Sequence, residues 1–188
     1  MNCGIIIAAC FGYDTFFLFL PLSADEANLP SEMGSLALSL TGILLLVGYI
    51  VIGLLSDAIG HVRTLQLAMF ACTAAMFKWP FCTSGWSLCL VASVYSFFAG
   101  AFSLQFSIIS EVYEATSKDS LMTLFALFQV TSLPSTVLGP IIAGFLIDRV
   151  SFIVAAFFLG TTFLIGTLAL LFIPKPEDQI DMIIIKYS

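Results

Sequence analysis

Charge is scarce in this chain. Its 188 residues carry six lysines and arginines, twelve aspartates and glutamates and one histidine, for a net charge of −6. So few cations leave no basic stripe to neutralise phosphates, which excludes nucleic acid as a partner. The lone histidine, His61, lies between two apolar runs with no nucleophile or second ligand at workable spacing. Triad or metal-assisted catalysis therefore has nothing to build on, and the chain reads as a non-enzyme without metal or cofactor. The five cysteines, Cys3, Cys10, Cys72, Cys82 and Cys89, lie in or beside apolar runs without zinc-like spacing and read as small packing residues. Cys82 and Cys89 flank one turn, where they either face each other or pack separately. A cleavable leader is not expected, because the first apolar run is as long as a membrane span and lacks a basic leader and a small-residue cleavage site.

What the chain has in abundance is hydrocarbon. At 60% hydrophobic residues and a mean hydropathy of +1.10, it exceeds soluble domains, which run at roughly 45 to 50% apolar. This composition predicts an integral, multi-pass membrane protein surrounded by lipid. Apolar runs near the roughly 20 residues needed to cross the hydrocarbon core, separated by short polar segments, predict helices rather than barrel strands. The expected fold class is all-α, with six transmembrane helices at about 4–22, 34–55, 64–83, 86–109, 121–147 and 152–173. Together they make one half-domain over 1–173, followed by a cytoplasmic tail at 174–188. Pro21, Ser23, Asp25, Glu26 and Pro30 mark the first loop. Lys78, Trp79 and Trp86 are placed as an interfacial belt, and Pro134 and Pro140 as points where the fifth helix tilts or kinks.

Basic residues set the orientation. With the turn near residue 60 in the cytoplasm, Arg63, Lys118, Lys175 and Lys186 fall inside while Lys78 and Arg149 fall outside. Both termini are then cytoplasmic. A faint repeat accompanies this arrangement: Gly53-x-Leu55-x-Asp57 closes the second span and Gly144-x-Leu146-x-Asp148 the fifth, as in two three-helix units related by inversion. The same shift carries Asp14 onto Gln105.

Polar residues within the spans are the candidates for function. Asp14, beside Tyr13, is the carboxylate nearest the middle of a span, where an acid costs a few kcal/mol or more without a partner, water or a proton. It is a candidate proton carrier unless the first span shifts outward and brings it to an interface. Ser93, Ser96, Gly100, Ser103, Ser107 and Ser110 recur at three- and four-residue intervals on one face of the fourth span. Such a stripe serves either close helix packing or a polar path. Gln105 points elsewhere. Gln129 lies about one turn before Pro134, whose missing amide frees the carbonyl of Val130 for a wet cavity or a packed kink.

The run from Gly53 to Arg63 brings a family into view. Asp57 lies at the negative end of a helix dipole, unfavourable unless a cation such as Arg63 compensates. Gly53 allows close backbone approach and Gly60 the positive φ of a tight reversal. The spacing Gly53-x-x-x-Asp57-x-x-Gly60-x-x-Arg63 resembles the Gly-x-x-x-Asp-x-x-Gly-x-x-basic loop of the major facilitator superfamily, with His61 where a further basic residue is usual. The run Leu138-Gly139-Pro140-Ile141-Ile142-Ala143-Gly144 to Asp148 resembles the Gly-Pro-Pro-Leu-Ala-Gly segment in the eleventh helix of monocarboxylate transporters, with Ile141 in place of the second proline. Phe11-Gly12-Tyr13 through Pro21, and Ser35 to Gly42, are similar to helices seven and eight of that family.

The resemblance covers nearly the whole chain. It implies the C-terminal six-helix half of a carrier that works by alternating access, partnered by an N-terminal six-helix half, with the plasma membrane as the expected location. Gly53, Asp57, Gly60, Arg63, Gly139, Pro140, Gly144 and Asp148 would then form the conformational hinges. Asp14, Tyr13, Tyr49, Gln105 and Gln129 would line the path of a small, monocarboxylate-like organic solute, with or without a proton. Where lactate carriers hold an Asp and an Arg in the eighth helix, this chain has Leu45 and Tyr49. Loss of that anion anchor favours another small or aromatic solute. A different class also fits the residues: a truncated, non-transporting membrane adaptor or regulatory half.

Overall fold

The computed structural model describes residues 3–113 and 118–171, and every regular element among them is helical. In order these are α1 Cys3–Glu26, α2 Ser31–Ile59, α3 His61–Lys78, α4 Gly85–Ala99, α5 Leu104–Tyr113, α6 Lys118–Arg149 and α7 Phe152–Leu170. Short 3-10 turns follow α3 at Trp79–Phe81 and join α4 to α5 at Gly100–Ser103. The expected tail at 174–188, with Lys175 and Lys186, lies outside the described residues. Among the described residues, three segments are long and apolar enough to cross a membrane: Glu32–Ile59, Gly85–Ile108 and Phe152–Leu170. The shorter α3 carries His61, Arg63, Gln66 and Lys78, which dilute its hydropathy.

Local chemistry moves several boundaries from their expected places. α1 does not stop near Pro21 but runs through it to Glu26. It closes where Asn28 turns to φ 53° and the Leu29 amide bonds back to the Ala24 carbonyl at 2.9 Å, a left-handed cap that asparagine tolerates. α3 ends at Lys78, and Pro80, which has no amide to give, sits in the 3-10 turn that follows. The fourth span is not one continuous helix, because its middle winds into the tighter turn at Gly100–Ser103. α6 runs through both Pro134 and Pro140 as one helix.

Trp79 is a further correction. It is not in an interfacial belt but 2% exposed, packed 4.7 Å from Phe16 and edge-on to Phe152 at 5.0 Å. Phe16 also lies over Tyr95 at 4.0 Å, and Tyr95 approaches Phe163 at 6.2 Å. Each such pair adds about 0.5–1.5 kcal/mol beyond its buried area. These rings tie α1, the end of α3, α4 and α7 into one core. Trp86, by contrast, is 82% exposed and suits a membrane interface. Cys72, Cys82 and Cys89 are buried free thiols in this packing.

Helix pairing carries the inverted repeat further than the two short matches. The shift that takes Asp57 onto Asp148 also takes the start of α3, His61, onto the start of α7, Phe152. Under the same exchange, the packing of α2 on α4 corresponds to that of α6 on α1, and α1 on α7 corresponds to α4 on α3. α3 meets α7 across the pseudo-axis, where Thr73 and Thr167 share a buried hydrogen bond of 2.9 Å. Gln66 adds a 3.0 Å bond to the Leu170 carbonyl, satisfying an end group of α7.

Backbones approach very closely between α2 and the fourth span. A Cβ on Gly48 would lie 2.2 Å from the Phe97 carbonyl oxygen, and one on Gly100 would lie 2.7 Å from the backbone of Gly48 and Tyr49. Only glycine fits either position. The expectation placed close approach at Gly53, yet an added Cβ there, as at Gly42, meets nothing within 4 Å.

Candidate functional site

The turn between α2 and α3 takes the geometry its glycine implies. Gly60 sits at φ 91°, its amide donates to the Ser56 carbonyl at 2.9 Å, and its carbonyl accepts the Thr64 hydroxyl at 2.9 Å. The reversal is thus held on one side by the backbone of Ser56 and on the other by the Thr64 hydroxyl. Asp57 ends α2 and Arg63 begins α3, both exposed on either side of Gly60. At the matching turn after α6, Asp148 and Arg149 are exposed and Ser151 caps α7 by accepting the Val154 amide at 3.3 Å. Gly139 is buried, Pro140 half-buried and Gly144 half-buried, with an added Cβ at Gly144 meeting the Phe19 ring at 3.7 Å.

Away from these turns, the structure gathers part of the predicted solute path. Tyr13 and Asp14 are half-buried neighbours on α1, and the Tyr13 hydroxyl lies close to Tyr49 of α2. Tyr49 is 40% exposed, so the pair reaches from the core to an open face. Phe102 of the 3-10 turn lies against Tyr13 with ring centroids 4.4 Å apart. Phe17 meets Tyr13 edge-on at 5.6 Å, and the Tyr95 hydroxyl donates to the Tyr13 carbonyl at 3.4 Å. Three helices therefore converge on Tyr13, with the Asp14 carboxyl beside them. Lysine and arginine are absent from this cluster.

The two glutamines are placed differently. Gln105 is half-buried on α5, three residues beyond Phe102. Gln129 stands exposed on α6, and its carbonyl accepts the Ser132 hydroxyl at 2.9 Å. Thr136 likewise donates to the Ser132 carbonyl at 3.3 Å. Within the serine stripe, Ser96 and Gly100 are buried, Ser93 and Ser107 half-buried and Ser103 exposed, so its middle packs and Ser103 opens outward. A cavity of about 330 Å³, lined by Glu26, Asn28, Trp79 and Ser151 among others, opens at the opposite end of the bundle from Gly60 and is separate from the tyrosines.

Sequence reasoning missed Gly48, Phe102 and Tyr95. A glycine mid-helix on α2 facing Gly100 mid-span was the available signal, but one sequence does not say which helices cross.

The family profile described as the Major Facilitator Superfamily matches residues 3–181. The chain belongs to the Major Facilitator Superfamily. Its members are membrane transporters, which agrees with the apolar helices and places this chain among membrane proteins. A comparison with curated proteins returned no match.

Proposed function

We propose that this chain is one six-helix half of a Major Facilitator Superfamily carrier in the plasma membrane, and that it moves a small organic solute by alternating access. One observation carries the reading: Tyr13, Asp14 and Tyr49 meet at an open face between α1, α2 and the 3-10 turn. Two phenols offer hydrogen bonds and aromatic faces, and the carboxyl offers a proton site. Without a cation among them, these three side chains supply no anchor for a free carboxylate. An uncharged or aromatic solute fits these side chains better than lactate does.

The paired helix packing supports the half-carrier reading, since each half of this superfamily is built from two inverted three-helix units. α2 supports it too. Gly34, Ala37, Thr41, Gly48, Ile52 and Ser56 face the bundle, whereas Ser35, Ser39, Gly42, Tyr49 and Gly53 lie on outward or half-open positions suited to a second half. Uptake by the complete carrier decides, measured for monocarboxylates and for neutral aromatic solutes with and without a pH gradient. Saturable uptake of an aromatic or neutral solute is expected. Transport confined to lactate-like anions would overturn the solute class.

A further inference from the structure

The cavity at the end of the bundle opposite Gly60 has walls of unlike chemistry. Its volume of about 330 Å³ lies near the low end of ligand pockets, which run at roughly 300–1,000 Å³. Three segments build it: the close of α1, the 3-10 turn after α3 and the start of α7. On one wall α1 ends at Glu26, an exposed carboxylate at the negative pole of its own helix. A cation is favoured there, and no lysine or arginine stands among the lining residues to supply it. On another wall α7 begins at Phe152, and the positive pole of that helix favours an electron-rich atom. Between them lies Trp79, which lines the cavity while its buried indole Nε1–H meets no acceptor among the described residues. Buried donors are nearly always paired, because an unpaired one has given up its bond to water. The other polar groups in the wall are engaged. Ser23 donates to the Leu20 carbonyl at 2.6 Å, Ser151 accepts the Val154 amide at 3.3 Å and Cys82 accepts the Ser87 hydroxyl at 3.4 Å. Phe16 and Phe152 pack on the indole at 4.7 and 5.0 Å and hold it in place.

We propose that this cavity binds a small organic ammonium ion that also bears a hydrogen-bond acceptor, with the ammonium at Glu26 and the acceptor at the Trp79 Nε1–H. Free amino alcohols and the ethanolamine headgroup of a lipid share that chemistry. Tyr13, Asp14 and Tyr49 do not line the cavity, so the site is distinct from the solute path and does not depend on the carrier reading.

The indole N–H itself is the reporter. The full-length protein, with its partner half if it has one, is labelled with isotopic tryptophan and placed in phosphatidylglycerol nanodiscs, which hold no ammonium headgroup. The Trp79 indole resonance is the one missing from Trp79→Phe. Ethanolamine and aminopropanol should each move it downfield to saturation. Propylamine, which lacks the acceptor, should leave it nearly unmoved. Propanediol, which lacks the ammonium, should bind roughly fivefold more weakly than aminopropanol, the factor an exposed ion pair can supply. Glu26→Gln should erase that difference. No saturable shift with either amino alcohol would mean that water alone fills the cavity, and equal affinity for propanediol and aminopropanol in the parent chain would remove the ammonium; either result overturns the proposal. Should Glu26→Gln fail to accumulate, that parent-chain comparison decides. Phosphatidylethanolamine nanodiscs then separate the sources: a resonance already downfield before any amine is added identifies the headgroup as the occupant, and one that still responds to free amino alcohols identifies a soluble ligand.

Discussion

Asp14 concentrates the chemistry of the chain in one side chain. It sits half-buried beside Tyr13, which lies close to Tyr49, and among the described residues no lysine or arginine joins that cluster. A carboxyl in such surroundings is stabilised by water, by a solute or by taking up a proton. Asp14→Asn keeps shape and polarity but cannot exchange the proton. Its expected result is loss of the pH-dependent part of uptake, with surface expression within about twofold of the parent chain. Unchanged uptake with unchanged pH dependence would remove Asp14 from the mechanism. Asp14, Tyr13 and Tyr49 were legible in the sequence because an acid within a span is conspicuous and the eighth-helix comparison singled out Tyr49. Phe102 was not. One phenylalanine among 19 carries no mark of the ring it will touch, and only the unforeseen 3-10 turn brings it onto Tyr13.

Among the helices, two glycines of α2 that look alike in the sequence divide sharply. Gly48 faces Phe97 so closely that a methyl group would lie 2.2 Å from its carbonyl oxygen, while Gly53 faces open space. Backbone cannot yield as a flexible side chain can. Gly48→Ala should cost about 1–3 kcal/mol or more through overpacking, read as a lower thermal midpoint of the purified protein. Gly53→Ala should be neutral or stabilising by about 0.5–1 kcal/mol, as expected where alanine replaces glycine in a helix. Equal effects at the two positions would contradict the crossing. Helix existence was readable from apolar runs, and the Gly60 reversal from its motif. Crossing partners were not, because periodicity marks a buried face without saying what covers it. Trp79 failed for a related reason: tryptophan beside lysine at a span's end reads as interfacial, yet Phe16 and Phe152 enclose it.

Taken as a whole molecule, the bundle is well packed on one side and open on another. The repeat in helix pairing gives it an internal pseudo-twofold, but α2 buries little of its length: its most apolar stretch is 17% buried, against 56% for the span that includes α4. Gln129, Tyr49, Ser35 and Ser39 lie on open positions, and polar side chains left facing lipid cost about 1 kcal/mol or more each. Small residues such as Gly42 and Gly53 on the open side of α2 permit close contact with a partner helix. If that partner is a second six-helix half, the 20.3 kDa chain expressed alone should aggregate, be degraded, or pair with itself through this face. Co-expression with a matching half should then yield a stable complex that takes up solute, and hydrogen-exchange protection of α2 should rise with it. Saturable solute movement by the purified chain alone in liposomes would instead mean that two copies complete the cavity, and the carrier would be a homodimer.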